Sequence, residues 1–358
     1  MVLHPLFGYT FNPKLDGVNN FGFMTEHDFA LKNNRYVLAD AADRQRLVVG
    51  VFGGSFAQGV GGRGGYFAKK LADVFPDKQV VIVNMAIGGQ AIPQSAFIYL
   101  YFRDLFDVAV FVDGLNELWN YTQNNRDGAP PEYAKATHYR YKLSKEELSP
   151  ATFALTSQLI EAESKLQAWT AFSLRPVVRD SVLVHYLWQQ RAAVLSQKVG
   201  EISLRISQQF QGGERFFPNP DAEVLAFAAR QWQAYHELVH RTATAQGTLS
   251  LHILQPNPFV PESKPLTPTE QKLIHQSFPV QSFVEEGYPL LRQGVRKLLA
   301  QNVAATDLTH VYRANTDEIW IDSAHANTRG YELVINRIVA KIREATESGA
   351  WKLREISE

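Results

Sequence analysis

A doubly wound α/β sheet, interrupted by a helical insertion, is the fold class this sequence predicts, and three observations predict it. Short apolar runs alternate with segments of helical period between residues 46 and 113. Glycine, asparagine, aspartate and histidine stand at the ends of those runs and of later ones. Residues 127–245 carry helical periodicity with no convincing strand. Strand–helix–strand alternation is the signature of a parallel sheet, because each parallel crossover needs about a helix's length of chain.

The elements follow in order. Residues 1–45, rich in Asn, Gly and Pro, read as an irregular extension packed on the main domain. Arg46 to Phe52 is an apolar run ending in glycines, which suits a buried parallel strand. Tyr66, Phe67, Leu71, Val74 and Phe75 then recur with a helical period. Gln79 to Asn84 is the second strand, Pro93 to Phe106 the second helix, and Asp107 to Asp113 the third strand. Beyond it, helices are expected over 151–170, 177–211 and 222–246; the last carries a stripe of Leu225, Ala228, Trp232, Tyr235 and Val239. Strands return at Leu249 to Leu254, followed by a Pro-rich loop, and a fifth is expected near Glu318 to Ile321, ahead of a terminal helix over 328–346. The expected organisation is therefore a core split between 46–126 and 246–346, an insertion over 127–245 and a tail over 347–358.

Composition removes several function classes. Lys plus Arg equals Asp plus Glu at 36 each, so no global field attracts nucleic acid or an anionic membrane. The absence of cysteine excludes disulfides, thiolate zinc sites and cysteine nucleophiles. No apolar run reaches the roughly 18 residues of a membrane span. The opening Met1-Val2-Leu3-His4-Pro5 lacks the charged and apolar regions of a signal peptide, which suits either a cytoplasmic protein or an exported one without its leader. Oligomeric state is not legible.

In an open parallel sheet, ligands bind beyond the carboxyl ends of the strands. The first run ends in Gly53-Gly54-Ser55, the second in Asn84 to Gly89, the third in Asp113-Gly114-Leu115-Asn116-Glu117, and the last in Asp322-Ser323-Ala324-His325. A serine hydroxyl is a weak nucleophile until a base takes its proton. Histidine suits that role near neutral pH, and a carboxylate sets its tautomer and stabilises the imidazolium. Asp322 and His325, three apart, supply both from one loop. The backbone amides of Ser55 and Gly89 and the Asn116 side chain are the candidate oxyanion donors. Losing one such donor typically costs about 3–4 kcal/mol of transition-state stabilisation. Arg63 and Trp119 are candidate substrate contacts; Trp320 and Tyr121 near the motifs are aromatic enough to stack on a sugar. Glu117 reads as a helix-start or solvated residue.

Serine, glycine, asparagine and histidine in this order resemble the four blocks of the SGNH (GDSL-type) hydrolases, over residues 46–120 and about 249–345. The resemblance implies a flavodoxin-like sheet, hydrolysis of esters or related acyl bonds, and no metal or other cofactor. Carried over, Ser55 is the nucleophile, Gly89 and Asn116 are oxyanion donors, and Asp322 with His325 completes the triad. Two positions depart: the usual Gly-Asp-Ser is Gly53-Gly54-Ser55, and the Asp that commonly follows the third block's asparagine is Glu117. His4-Pro5-Leu6-Phe7-Gly8-Tyr9 and Asn19-Asn20-Phe21-Gly22-Phe23 also resemble the lead-in of exported bacterial SGNH proteins, some linked to polysaccharide acylation. An O-acetylated carbohydrate is accordingly the favoured partner. O-acyl transfer to a sugar hydroxyl on the same triad is the alternative.

Two other motifs compete. Gly59-Val60-Gly61-Gly62-Arg63-Gly64 matches the dinucleotide fingerprint, but the place of the expected acidic residue holds Asn84. His236-Glu237-Leu238-Val239-His240 matches the zinc-protease H-E-x-x-H motif, with Glu262 or Glu285 as a distant third ligand. A binding module without catalysis is a further class, against which the complete set of triad residues argues.

Overall fold

The computed structural model describes residues 2–353 apart from 5, 40–45, 127–129, 133–149, 174, 176–177, 179–180, 210–216, 218–219 and 278. The chain divides into two compact units: residues 1–125, 130–136 and 219–358 form the larger, and 126–129 with 137–218 the smaller. No helix among the described residues is long and apolar enough to cross a membrane.

The expected irregular extension contains two short antiparallel hairpins, β1 (Val2–His4) with β2 (Gly8–Thr10) and β3 (Phe29–Lys32) with β4 (Arg35–Leu38). Asn33 and Asn34 both take positive φ between β3 and β4, which a two-residue turn of matching twist requires. Strands this short are nearly invisible to periodicity. Their anchor is tertiary: Phe7, Phe21, Phe23, Phe29 and Tyr36 gather around Phe102.

The main sheet holds five parallel strands: β5 (Arg46–Gly53), β6 (Gln79–Asn84), β7 (Val108–Asp113), β8 (Leu249–Leu254) and β9 (Ala305–Asp307), in the order β6-β5-β7-β8-β9. The fifth strand differs from expectation. It is the three-residue Ala305–Asp307, while Trp320 makes only an isolated bridge to Ala326. Three edge residues give too little alternation to read, and the Glu318–Ile321 run is a loop that buries Ile319 and Trp320 and leaves Glu318 and Ile321 exposed.

Helices alternate with the strands: α1 (Ser55–Gly61), α2 (Gly64–Ala72), α3 (Gln94–Phe102), α4 (Leu115–Arg126), α5 (Pro150–Ser173), α6 (Val182–Gln209), α7 (Pro220–Ala245), α8 (Pro268–Gln276), α9 (Gln281–Ala300) and α10 (Thr328–Glu347). The period of two along each strand separates the sheet's faces. Leu47, Val49 and Val51 join Val108, Val110 and Val112 in a core closed by Phe67, Val334, Ile335 and Ile338 of α2 and α10. On the other face Phe52, Phe111 and His252 are register partners across β5, β7 and β8, and their rings stack. Tyr99 of α3 and His236 of α7 meet that ladder edge-on.

Helix α7 thus belongs to the larger unit, whereas sequence periodicity places it in the insertion. Its stripe of Leu225, Ala228, Trp232 and Val239 is buried; Tyr235, expected in it, is only half-buried. Periodicity identifies an apolar face but not the surface that face meets. The smaller unit contains α5 and α6, which bury Leu159, Ala162 and Ile202 between them, flanked by Leu155 and Val199.

Candidate active site

Ser55 is the first residue of α1, directly after β5. Its neighbour Gly53 has φ +132°, a region L-residues rarely adopt, and a Cβ there would lie 2.3 Å from Val112 O. Glycine is needed for the chain to turn this tightly over β7. Because Ser55 opens a helix, its backbone amide belongs to the first turn, whose N–H groups have no intrahelical acceptor.

The last β-to-α connection supplies the other two groups. Asn327 caps α10, its side chain accepting from Gly330 N at 3.0 Å. Just before that cap, Ile321 N donates to His325 O at 3.1 Å, and Trp320 bridges to Ala326. The Asp322–His325 turn is thereby closed upon itself. Asp322 Oδ1 accepts from Ala324 N and His325 N, both at 2.7 Å. Its carboxylate also meets His325 Nδ1, at 2.8 Å through Oδ2 and 3.0 Å through Oδ1.

Burial acts to raise the Asp322 pKa, but the His325 and backbone hydrogen bonds outweigh it and hold the carboxyl below its ordinary value. An ionised carboxylate only accepts, so Nδ1 carries the imidazole proton and Nε2 presents a lone pair. Nε2 lies 2.7 Å from Ser55 Oγ. The structure brings three residues, 270 positions apart at the extremes, into one hydrogen-bonded line.

Asn116 and Gly88 border the serine turn. A Cβ on Gly54 would lie 1.9 Å from Asn116 Nδ2, and one on Gly88 would lie 3.8 Å from Ser55 Cβ. The Asn116 amide therefore occupies space that any side chain at 54 would claim, which gives the Gly54 departure a steric reason. Gly89 has φ +80°, and Gly88 N is taken by Gln58 Oε1 at 3.0 Å.

Helix α4 fixes this loop like a comb. Asn116 Nδ2 donates to Gln90 O (2.6 Å), Asn120 Nδ2 to Gly89 O (2.8 Å) and Tyr121 Oη to Ile92 O (2.7 Å). Glu117 accepts from Ile92 N at 2.7 Å and Gly114 N at 2.8 Å. Glu117 lies in the first turn of α4, as a helix-start residue would, but it is fully buried and not solvated. Burial first, and the nearby Asp113 carboxylate second, push its pKa up to about 8. Tyr9, from the N-terminal segment, donates to Gly88 O at 3.0 Å, so that extension reaches the site.

The remaining expectations fare differently. Arg63 Nη2 donates to Thr328 Oγ1 at 2.8 Å, tying the start of α2 to the start of α10. Trp119 packs edge-on against Phe283. Trp320 and Tyr121 are buried, so neither ring face is open for a sugar. The glycines of the dinucleotide-like pattern begin inside α1 instead of at the strand end. A Cβ on Gly59 would meet the Tyr331 ring at 2.2 Å, and one on Gly61 would meet Asn84 at 2.4 Å, so both serve close packing.

The H-E-x-x-H histidines point into the sheet. Asp113 Oδ1 receives Trp232 Nε1 at 2.5 Å and His236 Nε2 at 3.1 Å. His236 Nδ1 meets His252 Nδ1 at 2.7 Å; His252 Nε2 and His240 Nδ1 each lie 3.1 Å from Ser250 Oγ. Burial lowers the pKa of His252 strongly and that of His240 as well. One arrangement of the ring protons satisfies every member: His236 donates to Asp113 and accepts from His252, and Ser250 donates to His252 and accepts from His240. Both nitrogens of His236 are so engaged. Glu237 accepts from Gln233, Glu285 from Gln281, and Glu262 pairs with Arg313. Among the described residues no group of three or more such side chains is placed to hold a metal ion.

No protein-family model and no curated protein matches the chain. Among solved structures it is similar to the crystal structure of LAE5, an alpha/beta hydrolase enzyme from the metagenome of Lake Arreo, Spain, with a TM-score of 0.36 and 12% identity over 84% of this chain and 95% of that one.

Proposed function

We propose that this protein is a serine-dependent acyl hydrolase of the SGNH type, acting through a covalent acyl-enzyme. The observation that carries the reading is the line from Ser55 Oγ through His325 to the Asp322 carboxylate. Ser55 Oγ attacks the ester carbonyl while His325 Nε2 takes the hydroxyl proton. Asp322 holds the imidazole in the accepting tautomer and stabilises the imidazolium. The amides of Ser55 and Gly89 and the Asn116 Nδ2 group receive the oxyanion. His325 then returns the proton to the departing alcohol oxygen, leaving acyl-Ser55. Water, deprotonated by His325, attacks the acyl carbonyl and releases the carboxylic acid and Ser55.

An O-acetylated carbohydrate is the substrate class we favour, on the resemblance of residues 4–9 and 19–23 to SGNH proteins linked to polysaccharide acylation. With a sugar hydroxyl in place of water, the same acyl-enzyme performs transfer. The test is turnover of p-nitrophenyl acetate and longer acyl esters by wild type and Ser55→Ala, with and without chelator. Loss of turnover in Ser55→Ala with indifference to chelator is expected. Turnover that survives Ser55→Ala but fails with chelator, or in His236→Ala, would overturn the serine reading in favour of metal chemistry.

A further inference from the structure

The Asp322–His325 turn is held from outside by a carboxylate that no sequence motif for acyl transfer includes. The Glu270 side chain has no exposure to solvent, and neither does that of Lys264. Glu270 Oε1 accepts from Ile319 N at 2.8 Å and Trp320 N at 2.9 Å, the two amides that lead into the turn. Its Oε2 accepts from Lys264 Nζ at 2.7 Å and Thr267 N at 2.9 Å. Four donors from two chain segments, 264–267 and 319–320, therefore converge on one carboxylate, close to the full capacity of its two oxygens. Thr267 completes a capping box with Glu270 at the start of α8, fixing the carboxylate relative to the helix. The end of α8 adds a second tie, Ser323 N donating to Ser277 Oγ at 2.8 Å, and Asn257 Nδ2 donates to Ser323 O at 3.1 Å.

A helix cap needs none of the bonds to Ile319 and Trp320, and burying a charged pair is a poor route to stability on its own. What these bonds accomplish is placement: Trp320 lies two residues before Asp322, and the backbone bonds that close the turn, Ile321 N to His325 O at 3.1 Å and Asn327 N to Ile319 O at 2.7 Å, flank it on either side. We propose that Glu270, charge-balanced by Lys264, is a positioning residue that sets the Asp322–His325 pair against Ser55. This rests on the reading of Ser55, His325 and Asp322 as an acyl-transfer triad. A displacement of about 1 Å in such a site is enough to cost on the order of 100-fold in rate.

The test compares Glu270→Gln with Lys264→Met in the full chain. In Glu270→Gln the amide NH2 must face either Lys264 and Thr267 N or the amides of Ile319 and Trp320, so one set of donors loses its acceptor. Lys264→Met keeps the carboxylate and its three backbone bonds while removing the balancing charge. The measurements are kcat and KM for p-nitrophenyl acetate, the pH profile of kcat/KM, thermal unfolding, and labelling of Ser55 by a fluorophosphonate. Glu270→Gln is expected to lower kcat at least tenfold with KM within twofold. Its acid limb moves to lower pH, because a displaced Asp322 stabilises the His325 imidazolium less. Lys264→Met is expected to unfold at lower temperature yet keep kcat within about threefold below its melting range.

Wild-type kcat and pH profile in a folded Glu270→Gln would overturn the proposal. So would losses of kcat that simply track unfolding in both variants. Should Glu270→Gln not fold, Glu270→Asp retains the charge for Lys264 but draws the carboxylate back from Ile319 and Trp320. The same kcat-selective loss is then required, and its absence overturns the proposal. If the wild type neither labels at Ser55 nor turns over ester, the triad reading fails and the positioning role with it; labelling and turnover in wild type, undiminished in Glu270→Gln, overturn the positioning role alone.

Discussion

Gly54→Ala isolates the contact between the serine turn and the asparagine turn. Gly54 has φ −87° and ψ −152°, a conformation open to any residue, so the substitution probes space and not backbone strain. The added Cβ would lie 1.9 Å from Asn116 Nδ2 and 2.8 Å from Gln90 O. An ordinary carbon contact needs about 3.5 Å, so the Asn116 amide must retreat by about 1.5 Å. That movement breaks its 2.6 Å hydrogen bond to Gln90 O. A lost hydrogen bond and modest overpacking together predict a destabilisation of about 1–3 kcal/mol. Under the proposed function the effect on chemistry is larger: displacing Asn116 as an oxyanion donor predicts a kcat lower by about 100- to 1,000-fold.

The assay is a double-mutant cycle with Asn116→Ala, followed by chemical unfolding and by p-nitrophenyl acetate turnover. Removing the Asn116 amide vacates the space, so Gly54→Ala is expected to cost little further activity in the Asn116→Ala background. Its stability cost is expected to shrink there without vanishing, because the approach to Gln90 O remains. Wild-type turnover in Gly54→Ala, or full additivity of the two substitutions in activity, would refute the placement of Asn116 beside the nucleophile.

Two further outcomes are expected. Asp322→Asn preserves the backbone acceptor but sets an amide NH2 against His325, forcing the proton to Nε2; kcat is expected to fall by about 10,000-fold with the fold intact by circular dichroism. The stabilisation Asp322 provides, from a pKa held below its ordinary value, is present above that value and lost as pH falls through the folded one, so this acid-range component is expected to be absent from Asp322→Asn. Glu117 has the opposite sign. Its folded pKa of about 8 exceeds its unfolded value, so stability is fully present below pH 4.5 and declines as pH rises towards 8, at up to about 1.4 kcal/mol per unit. Urea titrations between pH 5 and 8 should show this slope in wild type and a shallower one in Glu117→Gln; parallel slopes would refute a protonated Glu117.

How much of this was written in the chain itself depends on distance. The runs at 46–52, 79–84, 107–113 and 249–254 were legible because a strand's period of two and its bounding glycines are local. Chemistry at strand ends was legible too, because parallel strands share one carboxyl edge: Ser55, Gly89 and Asn116 follow β5, β6 and β7, whereas Asp322 and His325 follow the expected strand at 318–321, which is a loop between β9 and α10. The three-residue β9 and the N-terminal hairpins were too short to show a period, and α7 showed an apolar stripe without showing that it would cover the sheet. The stretch after Leu254 read only as a Pro-rich loop, and nothing local told that the Glu270 carboxylate just beyond it would take the amides of Ile319 and Trp320.

The sequence by itself determined which residue types follow each short apolar run, and hence a serine, a histidine and a carboxylate as candidates for one chemistry. Only the tertiary structure decided which polar groups are buried and what they bond to. It turned Glu117 from an expected helix-start or solvated residue into an internal acceptor, buried Glu270 as another, and made a zinc-like motif a closed hydrogen-bonded line of histidines on Asp113. The physical reason is that periodicity acts over a few residues, whereas desolvation and hydrogen-bond partnership are settled between segments tens to hundreds of residues apart.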